Sequence, residues 1–154
     1  MDIRYKYTTK YSETPEQLSG ELALGHLHLP WSKISAIEEL PDLEVLTLLD
    51  GSFVGERWEL TPGGFRELRC LSLENLDVVE WEDVTDGGDA LPCLQKLRLI
   101  GVWELETVPS CLQRNAPLME IEVMDCNYIL NELVHEIGEE HKDWGNAGLK
   151  ITID

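Results

Sequence analysis

Basic residues are scarce in this 154-residue chain, where twelve Lys and Arg stand against thirty Asp and Glu for a formal net charge of −18. Such a surplus repels nucleic-acid phosphates and anionic headgroups, so neither nucleic acid nor a membrane surface is expected as a partner. No run approaches the roughly 18 consecutive apolar residues that a spanning helix requires. The opening Met1-Asp2-Ile3-Arg4-Tyr5-Lys6-Tyr7 also lacks the apolar stretch of a secretory signal. None of Asn75, Asn115, Asn127, Asn131 or Asn146 lies in an Asn-x-Ser/Thr sequon. The four cysteines, Cys70, Cys93, Cys111 and Cys126, form no paired framework and read as reduced thiols. Together these absences predict a cytoplasmic chain without membrane insertion.

Catalytic signals are equally thin. There is no G-x-x-x-x-G-K-[ST] loop to cradle phosphates. No Ser-His-Asp or Cys-His set with an orienting third group can be assembled, and acidic pairs such as Glu82-Asp83 read as turn residues. His135 and His141 are six apart, not the four that would aim both at one metal from a helix, and the position four after His135 is Glu139. His26 and His28 alternate with Leu27 and Leu29, which places both on one strand face as a surface pair. No enzyme activity, cofactor or metal is expected.

What the chain has is a period. The template L-x-x-L-x-L occurs at Leu43, Leu46, Leu48; at Leu68, Leu71, Leu73; at Leu94, Leu97, Leu99; and as Leu118, Ile121, Val123. Its first positions are 25, 26 and 24 residues apart. Leu22-x-Leu24 supplies an earlier degenerate copy and Leu149-x-Ile151-x-Ile153 a later one. Each copy reads as a short strand with alternate residues inward, and no single copy can bury its own face. Polar turns such as Asp50-Gly51-Ser52 and Thr85-Asp86-Gly87-Gly88 follow the strands. Return segments such as Trp31 to Leu40 carry Ile34, Ile37 and Leu40 at helical spacing to seal the core from behind. Pro41, Pro92 and Pro117 each stop a return shortly before the next strand leucine.

The expected fold is therefore α/β, a leucine-rich-repeat solenoid of about five to six coils. Its parallel sheet forms the concave face, with short helices or irregular returns on the convex face. Residues 1–17 read as a polar leader open to disorder, 18–126 as repeats, and 127–154 as a capping helix and strand. In that last segment Ile129, Leu130, Leu133, Val134 and Ile137 share one face, Glu136, Glu139, Glu140 and Lys142 the other, and Gly145-Asn146 gives a stop. The amino end has no such cap and should expose an unfinished coil. The tryptophans, Trp31, Trp58, Trp81, Trp103 and Trp144, fall mostly in returns and are expected to pad the convex core. Cys126 stands where repeats of this kind tie the turn by side-chain hydrogen bonds, so a structural use is expected.

Outward positions on the strands are the candidate protein-binding surface. Stacking the copies gives a rung of Val45, Cys70, Lys96 and Glu120, a second of Thr47, Ser72, Arg98 and Glu122, and a third of Leu49, Glu74, Ile100 and Met124. Arg69, Lys96 and Arg98 would form a basic spot open to an acidic partner segment. The same residues admit a structural reading as cross-strand ion pairs, Lys96 with Glu120 and Arg98 with Glu122.

The wording of the repeats adds a resemblance. Leu29-Pro30-Trp31-Ser32, then Leu40-Pro41-Asp42-Leu43-Glu44-Val45-Leu46, Gly55-Glu56-Arg57-Trp58-Glu59 and Gly64-Phe65 are similar to the carboxy-terminal repeats of plant coiled-coil nucleotide-binding leucine-rich-repeat disease resistance proteins. The series continues through Leu91-Pro92-Cys93-Leu94, Leu105-Glu106-Thr107-Val108-Pro109-Ser110 and Glu139 to Leu149, and it most resembles the late blight resistance group. The resemblance implies a recognition and autoregulatory segment of an intracellular immune receptor. Its partners would be a pathogen effector or the receptor's own nucleotide-binding module. The missing phosphate loop means that nucleotide hydrolysis is not carried over. The alternative is a free-standing leucine-rich-repeat adaptor or decoy.

Overall fold

The computed structural model describes residues 6–7, 20–84 and 90–154. The stretch Thr8 to Gln17 of the expected leader and the turn Thr85-Asp86-Gly87-Gly88 lie outside the described residues. The strands are β1 (Lys6–Tyr7), β2 (Gly20–Leu24), β3 (Leu29–Pro30), β4 (Leu43–Leu48), β5 (Phe53–Val54), β6 (Arg57–Leu60), β7 (Cys70–Glu74), β8 (Glu80–Asp83), β9 (Lys96–Ile100), β10 (Glu120–Met124) and β11 (Lys150–Ile153). The helices are α1 (Ser35–Glu38) and α2 (Tyr128–Asp143).

Period-two alternation makes the main sheet. Leu22 and Leu24, Leu46 and Leu48, Leu71 and Leu73, Leu97 and Leu99, and Ile121 and Val123 all turn inward and are buried. Six strands pair in parallel in the order β2-β4-β7-β9-β10-β11. Leu46, Leu71, Leu97, Ile121 and Ile151 follow one another in register, as the period requires. Each crossover returns the chain on the inward side, and one continuous apolar core lies between sheet and returns.

The returns differ from one another, and the local sequence says why. Trp31–Ile34 is a 3-10 turn leading into the single turn of α1. Its tighter winding of three residues per turn puts Trp31 and Ile34 on the core side. The expected stripe of Ile34, Ile37 and Leu40 therefore fails in part, since Leu40 is 40% exposed while Glu38 is buried. In the next two units, Arg57-Trp58-Glu59-Leu60 and Glu80-Trp81-Glu82-Asp83 bring a tryptophan inward between outward charges. They form β6 and β8, a parallel pair with Trp58 opposite Trp81. Ser110–Arg114 is again a 3-10 turn, and the longest return is α2.

Trp31, Trp58 and Trp81 stack as a column inside the returns, with centroids 4.6 and 4.9 Å apart, and Phe53 stacks on Trp31 at 5.0 Å. The other two tryptophans do not join it. Trp103 is 59% and Trp144 40% exposed, because Trp103 lies in the turn after β9 and not in the inward return.

Two further expectations are corrected. His26 and His28 are not on a strand: both adopt left-handed backbone (φ 56° and 51°) and are exposed in the turn between β2 and β3. The apolar alternation beside them comes from the turn, not from a pleat. The amino-terminal edge is also not bare, because β1 pairs antiparallel on β2, Lys6 opposite Ala23 and Tyr7 opposite Leu22. Backbone pairing needs no apolar period, so this strand leaves no mark in the sequence pattern. At the other end α2 crosses on the inward side between β10 and β11. Leu130, Val134 and Ile137 face the core, and β11 closes the outer edge of β10.

Candidate functional site

The outward face of the main sheet is built by the residues between the inward leucines. Its register is fixed by the strand pairing: Val45, Cys70, Lys96 and Glu120 lie side by side, as do Thr47, Ser72, Arg98 and Glu122. Glu74, Ile100 and Met124 continue the third rung. Leu49 stands one residue past the end of β4, where its N–H donates to the Leu24 carbonyl. All of these are half-buried, and Arg69, just before β7, is exposed.

Both outer strands lengthen the rungs beyond the residues identified from the sequence. Glu21 and Lys150 extend the first, and Ala23 and Thr152 the second. The signal was present, because Leu22-x-Leu24 and Ile151-x-Ile153 mark those strands and the intervening residues must then face outward.

The basic spot is neutralised where it stands. Lys96 Nζ lies 3.3 Å from Glu120 Oε2, Arg98 Nε donates to Glu122 Oε2 at 3.1 Å, and Arg69 Nε lies 3.8 Å from Glu44 Oε1. All are part-exposed pairs, each contributing about 0.2–1 kcal/mol. What remains is a face on which these three ion pairs, together with Glu21, Glu74 and Lys150, are interspersed with the half-buried apolar groups Val45, Leu49, Ile100 and Met124. Such a surface suits contact with another protein better than capture of a small ion.

Several half-buried polar groups in the turns and returns tie one unit to the next. Asn127 caps α2 by accepting from the Leu130 N–H at 2.9 Å, and its amide donates to the carbonyls of Trp103 (2.6 Å) and Leu105 (2.9 Å). The turn tie expected of the neighbouring Cys126 is thus shared with Asn127. The Cys126 thiol does donate to the carbonyls of Met124 (3.2 Å) and Leu99 (3.5 Å). Burial pushes its pKa up, the reverse of what a nucleophilic cysteine needs. Asp83 accepts from the N–H groups of Ser110 and Cys111 at 2.9 and 3.0 Å, tying the start of one return to the previous one.

His141 is fully buried, with Nε2 2.7 Å from the Leu112 carbonyl and Nδ1 2.8 Å from the Asn146 amide, whereas His135 is exposed. The two histidines thus meet different surroundings. Glu38 accepts from the Thr61 N–H at 3.0 Å while its other oxygen has no partner, and burial pushes its pKa up. Among the described residues no group of three His, Cys, Asp or Glu is placed to hold a metal, and no helix is long and apolar enough to cross a membrane.

No protein-family model matches the chain. Curated proteins of Solanum demissum do. A late blight resistance protein and a late blight resistance protein homolog are each 35% identical to it over 118 residues, and a second such homolog is 37% identical over 118 residues. Each alignment covers 75% of this chain but only 9% of the relative.

Proposed function

We propose, for a chain that is a relative of the late blight resistance proteins across three quarters of its length, that its stacked units form a leucine-rich-repeat solenoid. It would have about five to six coils, each supplying one strand and one return. Its outward sheet face is then a protein-recognition surface of a cytoplasmic plant immune receptor. The segment binds and regulates; it does not catalyse. Its partner is either a pathogen effector or the nucleotide-binding module of the parent receptor, which it would hold inactive.

The observation that carries this reading is the character of the face. Its cations Lys96 and Arg98 are spent on neighbouring carboxylates, so what its centre offers is the apolar set Val45, Leu49, Ile100 and Met124, ringed by charges that exclude mismatched partners.

The test is co-expression with the nucleotide-binding module of a late blight resistance protein, read by co-precipitation. Ile100→Glu and Met124→Glu should abolish capture without unfolding the chain, since both side chains lie on the outward face. Reversing Lys96 and Arg98 alone also strands Glu120 and Glu122, so it is read beside the compensated swap with Glu120→Lys and Glu122→Arg. Failure of the unaltered chain to capture the module from any close relative would remove the autoregulatory reading. Capture of an unrelated protein instead would favour the adaptor or decoy.

A further inference from the structure

Strand β11 forms one edge of the described sheet, and among the described residues nothing pairs with its outer side. Edges of this kind are ordinarily blunted by shortness, by charged side chains, by Pro, by a bulge or by an inward-pointing charge, and β11 has the first two of these, with four residues and Lys150 at its start. Lys150-Ile151-Thr152-Ile153-Asp154 has no proline, and its two isoleucines pack toward the core and stay half-exposed.

The ladder determines which groups are left over. The N–H of Lys150 donates to the Met119 carbonyl and that of Asp154 to the Val123 carbonyl. In a parallel pair, alternate residues turn both backbone groups the same way. Ile151 and Ile153 therefore direct their N–H and C=O groups outward, unpaired.

We propose that this edge is a self-recognition site, occupied by β11 of a second copy running antiparallel about a twofold axis at Thr152. The sequence is complementary to itself in that register. Ile151 of one copy faces Ile153 of the other, and each such pair exchanges two backbone hydrogen bonds, so all four outward donors are used. Thr152 meets its own copy at the axis as a pair without backbone hydrogen bonds, where side chains come closest.

Lys150 falls opposite Asp154 twice, once on each side of the axis, so within the strand pair the charges brought together are of opposite sign, while on the core side His135, Glu139 and Lys142 of α2 flank Ile151 in each copy. On the core side of the sheet the half-exposed Ile151 and Ile153 side chains of the two copies cover one another. The axis stands perpendicular to the sheet, which leaves both outward faces on the same side as one continuous surface. Two chains of −18 repel, so the pairing belongs to moderate salt and to high local concentration.

The experiment is sedimentation equilibrium of the full chain at moderate salt from about 1 µM to about 1 mM, the range that resolves a weak dimer. A reversible dimer is expected. Thr152→Glu, which sets two like charges on the axis, and Lys150→Asp, which replaces both ion pairs with repulsion, should each weaken it by about tenfold or more. Adding Asp154→Lys to Lys150→Asp restores complementarity and should restore the dimer. The side chains of all three positions are exposed, and circular dichroism checks that each variant is folded. A monomer throughout the range overturns the proposal, as does a dimer indifferent to Thr152→Glu and to the charge swap.

Discussion

Replacing Trp58 with alanine removes the middle ring of the tryptophan column, and the loss can be worked from the structure. The side chain is fully buried between Trp31 at 4.6 Å and Trp81 at 4.9 Å, with ring planes within 10° and 14°. Truncating a buried tryptophan costs about 3–5 kcal/mol in lost transfer energy and residual cavity. Its Nε1 has no hydrogen-bond partner, so no hydrogen bond is lost to offset or enlarge that figure. For a chain of this size about 4 kcal/mol lowers the melting temperature by roughly 8–16 °C. It also removes a large part of the roughly 5–15 kcal/mol that typically separates folded from unfolded protein.

The assay is urea and thermal unfolding by circular dichroism, with Trp103→Ala as the control because that ring is 59% exposed. A double-mutant cycle with Trp81→Ala should return a coupling of about 0.5–1.5 kcal/mol for the stacked pair. If Trp58→Ala costs no more than Trp103→Ala, or the cycle shows no coupling, the column is not what joins these units and the reasoning is wrong.

Glu38 gives a pH signature. Its folded pKa is raised by burial, so the folded state holds the proton more tightly, and stability is fullest below the unfolded carboxylate pKa and falls as pH rises through the folded value. Glu38→Gln should therefore gain on the parent chain in urea midpoints as pH rises from about 4 toward about 7; a constant difference would refute the sign. Asn127→Ala loses the α2 cap and two hydrogen bonds to the preceding turn, and should cost about 2–3 kcal/mol by the same measurement. The Arg98–Glu122 pair, with side chains 39% and 23% exposed, should give a coupling of at most about 1 kcal/mol that fades with added salt. A larger, salt-insensitive value would mean that the pair is more shielded than its exposure indicates.

Much of the sheet was legible because its signal is local and repeated. A leucine every second position, recurring every 24 to 26 residues, fixes both which face is inward and which residues are neighbours across strands. The outward rungs followed from that register alone, and so did the two candidate pairings, Lys96 with Glu120 and Arg98 with Glu122. The sequence could not decide between a basic spot and a set of ion pairs. Both use the same positions, and the choice depends on side-chain rotamers that bring Nζ or Nε to within about 3 Å of a carboxylate.

The returns were less legible because their period changes from unit to unit. Trp58 and Trp81 sit in strands, Trp31 in a 3-10 turn and Leu130 in a long helix, yet all four reach the core. Leu40 was misplaced because a 3-10 turn shifts the phase of everything after it. Cys126 does tie its turn, through the Met124 and Leu99 carbonyls, and the larger share that falls to its neighbour Asn127 depends on backbone angles that the sequence does not show.

By itself the sequence determined the repeat, the inward leucines, the register of the outward rungs and the likeness to the late blight resistance group. Each of these depends only on which residues recur and how far apart. The tertiary structure decided which charges neutralise one another, which tryptophans stack and which remain in solvent. It also decided how the two ends of the sheet differ, with β1 turned back antiparallel on one edge and the backbone of Ile151 and Ile153 unpaired on the other. Those outcomes depend on distances between units and on which edge groups a ladder has already used, quantities that come into being only when the units stack.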